Sequence, residues 1–350
     1  IEMDPFTVSI EQKVDNLKEY IEALWTVETL QSTSINYGDR KQTTHFANSE
    51  GSYIAQERID VTLGARAVAK KENDVQQYGI SIGSLGDYGV VLNLEKQMKD
   101  ISEKANDLLL APQLDGGEYT VICDPILGGV FAHEAFGHLS ESDFIYENQQ
   151  MKEIMVLGRK FGGTHLNIVD GASIPGLRGS YDYDDEGVPS QKSQLIHEGK
   201  LVGRLHSRET ASKMGESTTG NARAIDYRHP PIVRMTNTYI EPGEATVEEL
   251  ISEVKDGVYA KNWYGGMTSM EMFTFSAGEA YRIRNGKVEE LLRPVVLSGN
   301  VFTTLENLDA VANDLDMNQG GGCGKAGQSP LAVSNGSPHI RIQNCLLGGS

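Results

Sequence analysis

The sequence predicts an α+β fold of mixed and antiparallel strand-rich sheets with flanking helices. Three observations carry the prediction. Apolar residues alternate with period two over long stretches, as in Ile59-Val61-Leu63. Glu198-Gly199 lies between Leu195-Ile196 and Leu201-Val202, and Asn285-Gly286 lies between Tyr281-Arg282-Ile283 and Val288, both as hairpin turns. No strand–helix–strand alternation of βαβ length occurs, and there is no P-loop or dinucleotide fingerprint.

In chain order, Glu11 to Leu30 reads as an amphipathic helix, with Val14, Leu17, Ile21 and Leu24 at helical spacing. Thr33, Ile35 and Tyr37 then alternate, Gly38-Asp39-Arg40 reads as a turn, and Thr43 to Asn48 runs back. Ser52 to Val90 is strand-rich, with a connection at Gly79, Gly83 and Gly86. Leu94 to Leu110 is a second helix, with Leu94, Met98, Ile101, Ala105 and Leu108 on one face, ended by Pro112 and Asp115-Gly116-Gly117. Tyr119 to Cys123 is a short buried strand. Asp124-Pro125 opens a helix, with Asp as the cap and Pro at the first position, that runs through Gly128, His133 and His138. Strands dominate beyond it, with short helices expected at 207–214, 246–255 and 303–308. The expected division is 1–10 as a vector-derived segment, 11–116 as a partial N-terminal α/β domain, and 117–350 as a C-terminal β-rich domain.

Composition narrows the function. The 350 residues carry 31 basic and 49 acidic side chains, a net charge of −18, with no Lys/Arg cluster, which argues against direct contact with nucleic acid or an anionic membrane. No apolar run approaches the roughly 20 residues a spanning helix needs. Three cysteines, Cys123, Cys323 and Cys345, cannot build a disulfide framework and suit a reducing compartment, so a cytoplasmic setting is expected. Cys123 and Cys345 sit in apolar strands and read as core. Ile1 to Ile10 holds no signal-peptide pattern.

The sharpest chemical feature is His133-Glu134-Ala135-Phe136-Gly137-His138 on a predicted helix. Histidines four apart lie about 40° apart around a helix, whereas five apart gives about 140°. A regular helix therefore does not aim both rings at one ion. A one-residue π-bulge, or a helix ending at Gly137, brings them together. Glu134 projects to the side, where a general base meets water. The residues alone also allow a solvated helix end, and two histidines are an incomplete site, since a catalytic zinc takes three protein ligands. Cys323, within Gly320-Gly321-Gly322-Cys323-Gly324-Lys325, is the third candidate, with Lys325 favouring its thiolate; the alternative is a glycine turn with an incidental cysteine. Glu141 and Asp143 are rival ligands. Asp182, Asp184, Asp185 and Glu186 read as a solvated acidic turn whose spacing fails the calcium-loop pattern. His229-Pro230-Pro231 and Arg234 fit a groove wall or an ordinary edge strand equally well. His45, His165, His197, His206 and His339 read as surface or satisfied polar residues.

Five ordered segments resemble the TldD/PmbA family, known as modulators of DNA gyrase and as zinc metallopeptidases. They are Gly128 to His138, Asp184-Asp185-Glu186-Gly187, Arg234 to Tyr239, Phe275 to Tyr281, and Gly322 to Ser329. The chain looks like the TldD branch, and the likeness runs from about Glu11 to the C-terminus. The resemblance implies that His133, His138 and Cys323 hold Zn2+, that Glu134 is the catalytic acid/base, and that the histidine helix packs on the C-terminal domain. It implies a zinc-dependent peptidase acting on unfolded or extended peptides inside a dimer cavity, as a homodimer or a heterodimer with a PmbA/TldE-type subunit. A thiolate ligand lowers the charge of the site relative to three histidines, so water there is acidified less and Glu134 matters more. The other readings are a non-catalytic PmbA/TldE-like partner, a peptide-binding regulator, or a nucleic-acid-associated regulator, the last opposed by the charge. Family chains are usually longer before the first helix, so the N-terminal part is expected to be short or truncated.

Overall fold

Two helices and a three-stranded sheet form the first layer. The computed structural model describes residues 3–349; the first two residues of the 1–10 segment lie outside the described residues. Helix α1 spans Ile10–Leu24. Ser9 caps it reciprocally: its hydroxyl accepts the Gln12 N–H, and the Gln12 carboxamide accepts the Ser9 N–H. The predicted extension to residue 30 is too long. Thr26 N–H already bonds Leu24 O, off the helical ladder, and Leu30 pairs with Ala69. Two β-branched residues, Thr26 and Val27, favour that exit.

Strands β1 (Leu30–Ala47), β2 (Tyr53–Lys71) and β3 (Asp74–Ser84) follow in antiparallel order. The predicted turn at 38–40 is absent. Gly38 pairs with Thr62 in a continuous ladder, because the side-chain alternation carries on through residue 47. The chain reverses at 48–51 instead, where the Asn48 carboxamide accepts N–H bonds from Glu50 and Ser52. Gly79 and Gly83 likewise lie inside β3, and the reversal comes at Glu72, whose φ is 56°. Helix α2 is Glu95–Leu110, and the face predicted for it is the face it buries. Val61, Leu63, Ala65 and Ala67 of β2 close a core with Tyr20, Leu24, Met98, Ile101 and Ala105. Period two then leaves Arg58, Asp60, Thr62, Gly64 and Arg66 on the opposite face, toward the rest of the chain.

The second body centres on β4 (Gly117–Cys123), which leads into α3 (Pro125–Phe131). A six-stranded sheet holds β5 (Ile168–Gly171) beside β6 (Asn237–Ile240). Within a nine-stranded sheet, β4 lies parallel to β7 (Asp256–Lys261). Near the C-terminus come a hairpin of β8 (Gly322–Lys325) and β9 (Gln328–Ala332), then β10 (Ser334–Ser337) parallel to β6, then β11 (Ile340–Gly349) antiparallel to β4. The short helices are Arg208–Met214, Val247–Ser252 and Val301–Asn307. Two more, Ser142–Glu147 and Gln149–Ile154, were not signalled by the sequence. Both predicted hairpins form, with positive φ at Glu198-Gly199 and Asn285-Gly286. The fold is α+β, as predicted. Among the described residues no helix is long and apolar enough to cross a membrane.

Candidate metal centre

The site begins with a helix start. The Asp124 carboxylate accepts the Leu127 N–H, and Pro125 fills the first helical position. The helix then lies directly on β10: a Cβ at Gly129 would meet the Gly336 backbone at 2.8 Å. After Phe131 the hydrogen-bond period widens. Ala132–Gly137 is a π-helix, closed by a His138 N–H to His133 O bond, and His138–Ser140 tightens to a 3₁₀ turn. That distortion is one of the two the spacing called for. Gly137 permits it, since a Cβ there would fall 2.0 Å from Met235 Sδ.

The widened turn brings the rings together. Their centroids lie 5.3 Å apart, edge to face. Cys323 reaches them from β8, with its Sγ 3.5 Å from His138 Nε2. Donor atoms of His133, His138 and Cys323 all lie within 4.8 Å of one another. Two buried arginines grip the segment that delivers the thiol. The Arg234 guanidinium donates to Cys323 O at 2.8 Å and to Gln328 O at 3.1 Å. Arg178, paired with Asp60 of β2, donates to Gln319 O and Gly321 O. Arg234 is therefore neither groove wall nor edge-strand residue; it is 1% exposed and structural.

Burial alone would push the Cys323 thiol up, but the neighbouring His133 and His138 charges and hydrogen bonds bring it down to about 4. Burial likewise opposes a charged His138, yet the Glu141 carboxylate and the Cys323 thiolate raise it well above the usual imidazole range. Lys325 does not serve Cys323 as the sequence suggested. Its ammonium turns away to Glu141 at 3.0 Å and Asp143 at 2.6 Å. Neither carboxylate joins the donor triplet. Glu141 instead bonds His138 Nδ1 at 3.1 Å. Cys123 and Cys345 are buried core thiols, as predicted.

These residues fit a zinc ion. His133 Nδ1 is buried with no hydrogen-bond partner, and two imidazoles with one thiolate make the three-ligand set of a catalytic site. Glu134 is half-buried beside them. It lines a cavity of about 680 Å³ with His133, Asn262, Trp263, Tyr264 and Gly320 to Gly322, closed on its far side by Asn36, Arg66 and Gln77 of the N-terminal sheet. A larger cavity, about 750 Å³, touches Arg40, Arg58, Arg178 and Arg223 but none of the donors. Of the two, only the smaller is lined by His133 and Glu134.

Elsewhere the acidic turn is only partly solvated: Asp182 is exposed, Asp185 and Glu186 are half-buried, and Asp184 is buried. Asp184 is 3% exposed and accepts N–H bonds from Glu186, Val188 and Ala222, while burial pushes its carboxyl up to about 6. Unpaired backbone donors in that turn require the acceptors. Among the scattered histidines, His165, His206 and His339 are satisfied polar residues, on Leu308 O, Glu216 and Asp314.

Residues 4–111 match the model of the PmbA/TldA metallopeptidase central domain, and residues 116–349 match that of its C-terminal domain. A metalloprotease of Synechocystis is 49% identical over 347 residues, covering 99% of this chain and 75% of that protein. A zinc metalloprotease TldD homolog of Saccharolobus solfataricus is 32% identical over 343 residues, covering 97% and 76%. Two solved structures share the fold. One, described as a modulator of a DNA gyrase from Thermotoga maritima, has a TM-score of 0.80 at 22% identity, covering 98% of this chain and 75% of its own. The other, TldE from Thermococcus kodakarensis, has a TM-score of 0.71 at 20% identity, covering 96% and 74%.

Proposed function

The chain belongs to the TldD/PmbA metallopeptidase family, and from that membership we propose that it is a zinc-dependent peptidase whose metal is held by His133, His138 and Cys323 and whose general base is Glu134. One observation carries the assignment: three donors of the right chemistry lie within 4.8 Å of one another, next to a carboxylate on a cavity wall. A zinc ion, when bound, supplies Lewis-acid polarisation of a carbonyl and acidification of water. The chain's own groups do the rest. Glu134 takes the proton from the attacking water on a carboxylate oxygen, then passes it to the leaving amine nitrogen. Among the described residues its carboxylate has no hydrogen bond or ion pair to hold it back. The polar face of β1 to β3 across the cavity suits an extended, unfolded peptide, which can satisfy its backbone groups there.

Several finer points belong to this proposal. The chain divides near residues 111–117 into an N-terminal unit and a C-terminal catalytic unit. A TldE-type subunit is the partner, or a second copy of the chain, with the site enclosed between them. Three unpaired cysteines support a cytoplasmic setting, and the −18 charge speaks against direct DNA contact.

Metal analysis combined with cleavage of an unfolded peptide, with and without a TldE-type partner, tests the assignment. Glu134→Ala is expected to keep its zinc and to lose about 10²–10⁴-fold in activity. An active Glu134→Ala enzyme with normal zinc would remove Glu134 from the mechanism. A wild-type chain that takes up no zinc would remove the metal site.

A further inference from the structure

We propose that Glu141, held by Lys325, is a positioning residue that fixes the His138 ring for metal binding from the far side of the imidazole. The inference rests on the zinc reading above. His138 has two ring nitrogens with different partners. Nδ1 lies 3.1 Å from Glu141 Oε2, while Nε2 lies 3.5 Å from Cys323 Sγ. A carboxylate oxygen only accepts, so Nδ1 carries a proton whether the ring is charged or neutral, and Nε2, on the side of the donor triplet, is the nitrogen left to give its lone pair to a metal. An outer-shell carboxylate of this kind sets both the tautomer and the ring orientation of a metal-binding histidine.

Glu141 is 1% exposed, and a buried carboxylate needs pairing. Lys325 provides it, at 3.0 Å from the same Oε2. Lys325 lies on β8, two residues after Cys323, and Glu141 lies three residues after His138. One ion pair therefore ties the histidine-bearing run to the cysteine-bearing hairpin. Lys325 is itself held by Asp143 at 2.6 Å and Val233 O at 3.0 Å, so the link does not depend on a freely moving side chain. The same contacts explain why Glu141 is not a fourth donor: it sits behind His138, outside the triplet.

Removing Glu141 leaves Lys325 its bond to Asp143, so Glu141→Ala retains a partner for the buried cation. The test measures zinc dissociation constants by chelator competition on the full chain, for wild type, Glu141→Ala and Glu141→Gln, with visible spectra of the cobalt-substituted proteins. Glu141→Ala is expected to bind zinc about 10–100-fold more weakly. Glu141→Gln, whose carboxamide oxygen still accepts from Nδ1, should recover part of that loss and leave the cobalt spectrum four-coordinate. If Glu141→Ala does not fold, the Gln variant alone is expected to weaken binding severalfold with that spectrum unchanged. Wild-type affinity in either folded variant would overturn the inference and leave the zinc site standing. A cobalt spectrum showing a lost ligand in Glu141→Gln would overturn it by making Glu141 a ligand. No zinc uptake by the wild type would overturn the reading of the site, and this inference with it.

Discussion

Helix α2 and the run from Pro125 to Ser140 are of comparable length but solve different problems. In α2 one hydrogen-bond period holds throughout, one apolar face is buried and the other is wet. The histidine run is buried almost all round and passes from α to π to 3₁₀ within those residues. α2 only has to cover a sheet, and the regular helix does that with any apolar residues at the right spacing. The histidine run has to bring side chains five apart onto one thiolate, which no regular helix does. Its distortion is held from outside, by Met235 against Gly137 and by the Gly336 backbone against Gly129. Regular elements thus tolerate change locally, whereas the distorted one depends on particular neighbours.

The largest stability effect is expected on the regular side. Met98 is fully buried under α2, and Met98→Ala should cost about 2–5 kcal/mol in denaturant unfolding of the zinc-free chain. Zinc affinity should not change. A concurrent weakening of zinc binding would break the contrast, because it would make the N-terminal layer part of the metal site's support.

Gly137→Val probes the other side. A side chain there displaces Met235, so overpacking should cost about 1–3 kcal/mol. The discriminating result is zinc: affinity should fall with stability, because the widened turn and the ring positions depend on the same contact. If Gly137→Val loses stability and keeps its zinc affinity, the π turn is incidental to the site.

The same division governs what the sequence reveals. The face of α2, the Asp124 cap and the Asn285-Gly286 hairpin were legible because each is written within a few neighbouring residues. Gly38 misled because glycine is read as a turn wherever it stands, and only the ladder with β2 shows that it is not one. At the site, His133, Glu134 and His138 stand out in the sequence by their spacing, and the structure brings the donor atoms of the two histidines and Cys323 within 4.8 Å of one another. Cys323 was visible through its glycines and the family likeness. The rest depended on distance along the chain. Arg178 acts on residues more than a hundred positions away, and Arg234 on one 89 positions away. Nothing local distinguishes a guanidinium buried on a carbonyl from one in water. Glu141 stands out in the sequence only as a rival ligand for its place after His138, since sequence cannot show which side of a ring a carboxylate occupies.

The contrast sharpens further at three residues of one type. Burial pushes the Cys345 thiol up to about 12 and the Cys123 thiol well above its ordinary value. Cys323 is also buried, yet His133 and His138 bring it down to about 4. In zinc-free protein the ultraviolet thiolate absorbance should therefore show one group ionising near pH 4, lost in Cys323→Ser, with the other two silent through neutral pH. The stability consequence has a definite sign. A thiol whose folded pKa lies below its unfolded value of about 8.5 stabilises the fold fully above that value, and the contribution is lost as pH falls through about 4. His138, raised by Glu141 and Cys323 against its burial, behaves oppositely: its contribution is full below about 6.5 and is lost as pH rises through its folded value. Acidifying zinc-free wild type through about pH 4 should thus erase its advantage over Cys323→Ser. A thiolate that appears only near pH 8 to 9 would mean that the two histidines do not act on Cys323. The hairpin cysteine would then be a core thiol like the other two, and the histidine run would have been widened for nothing.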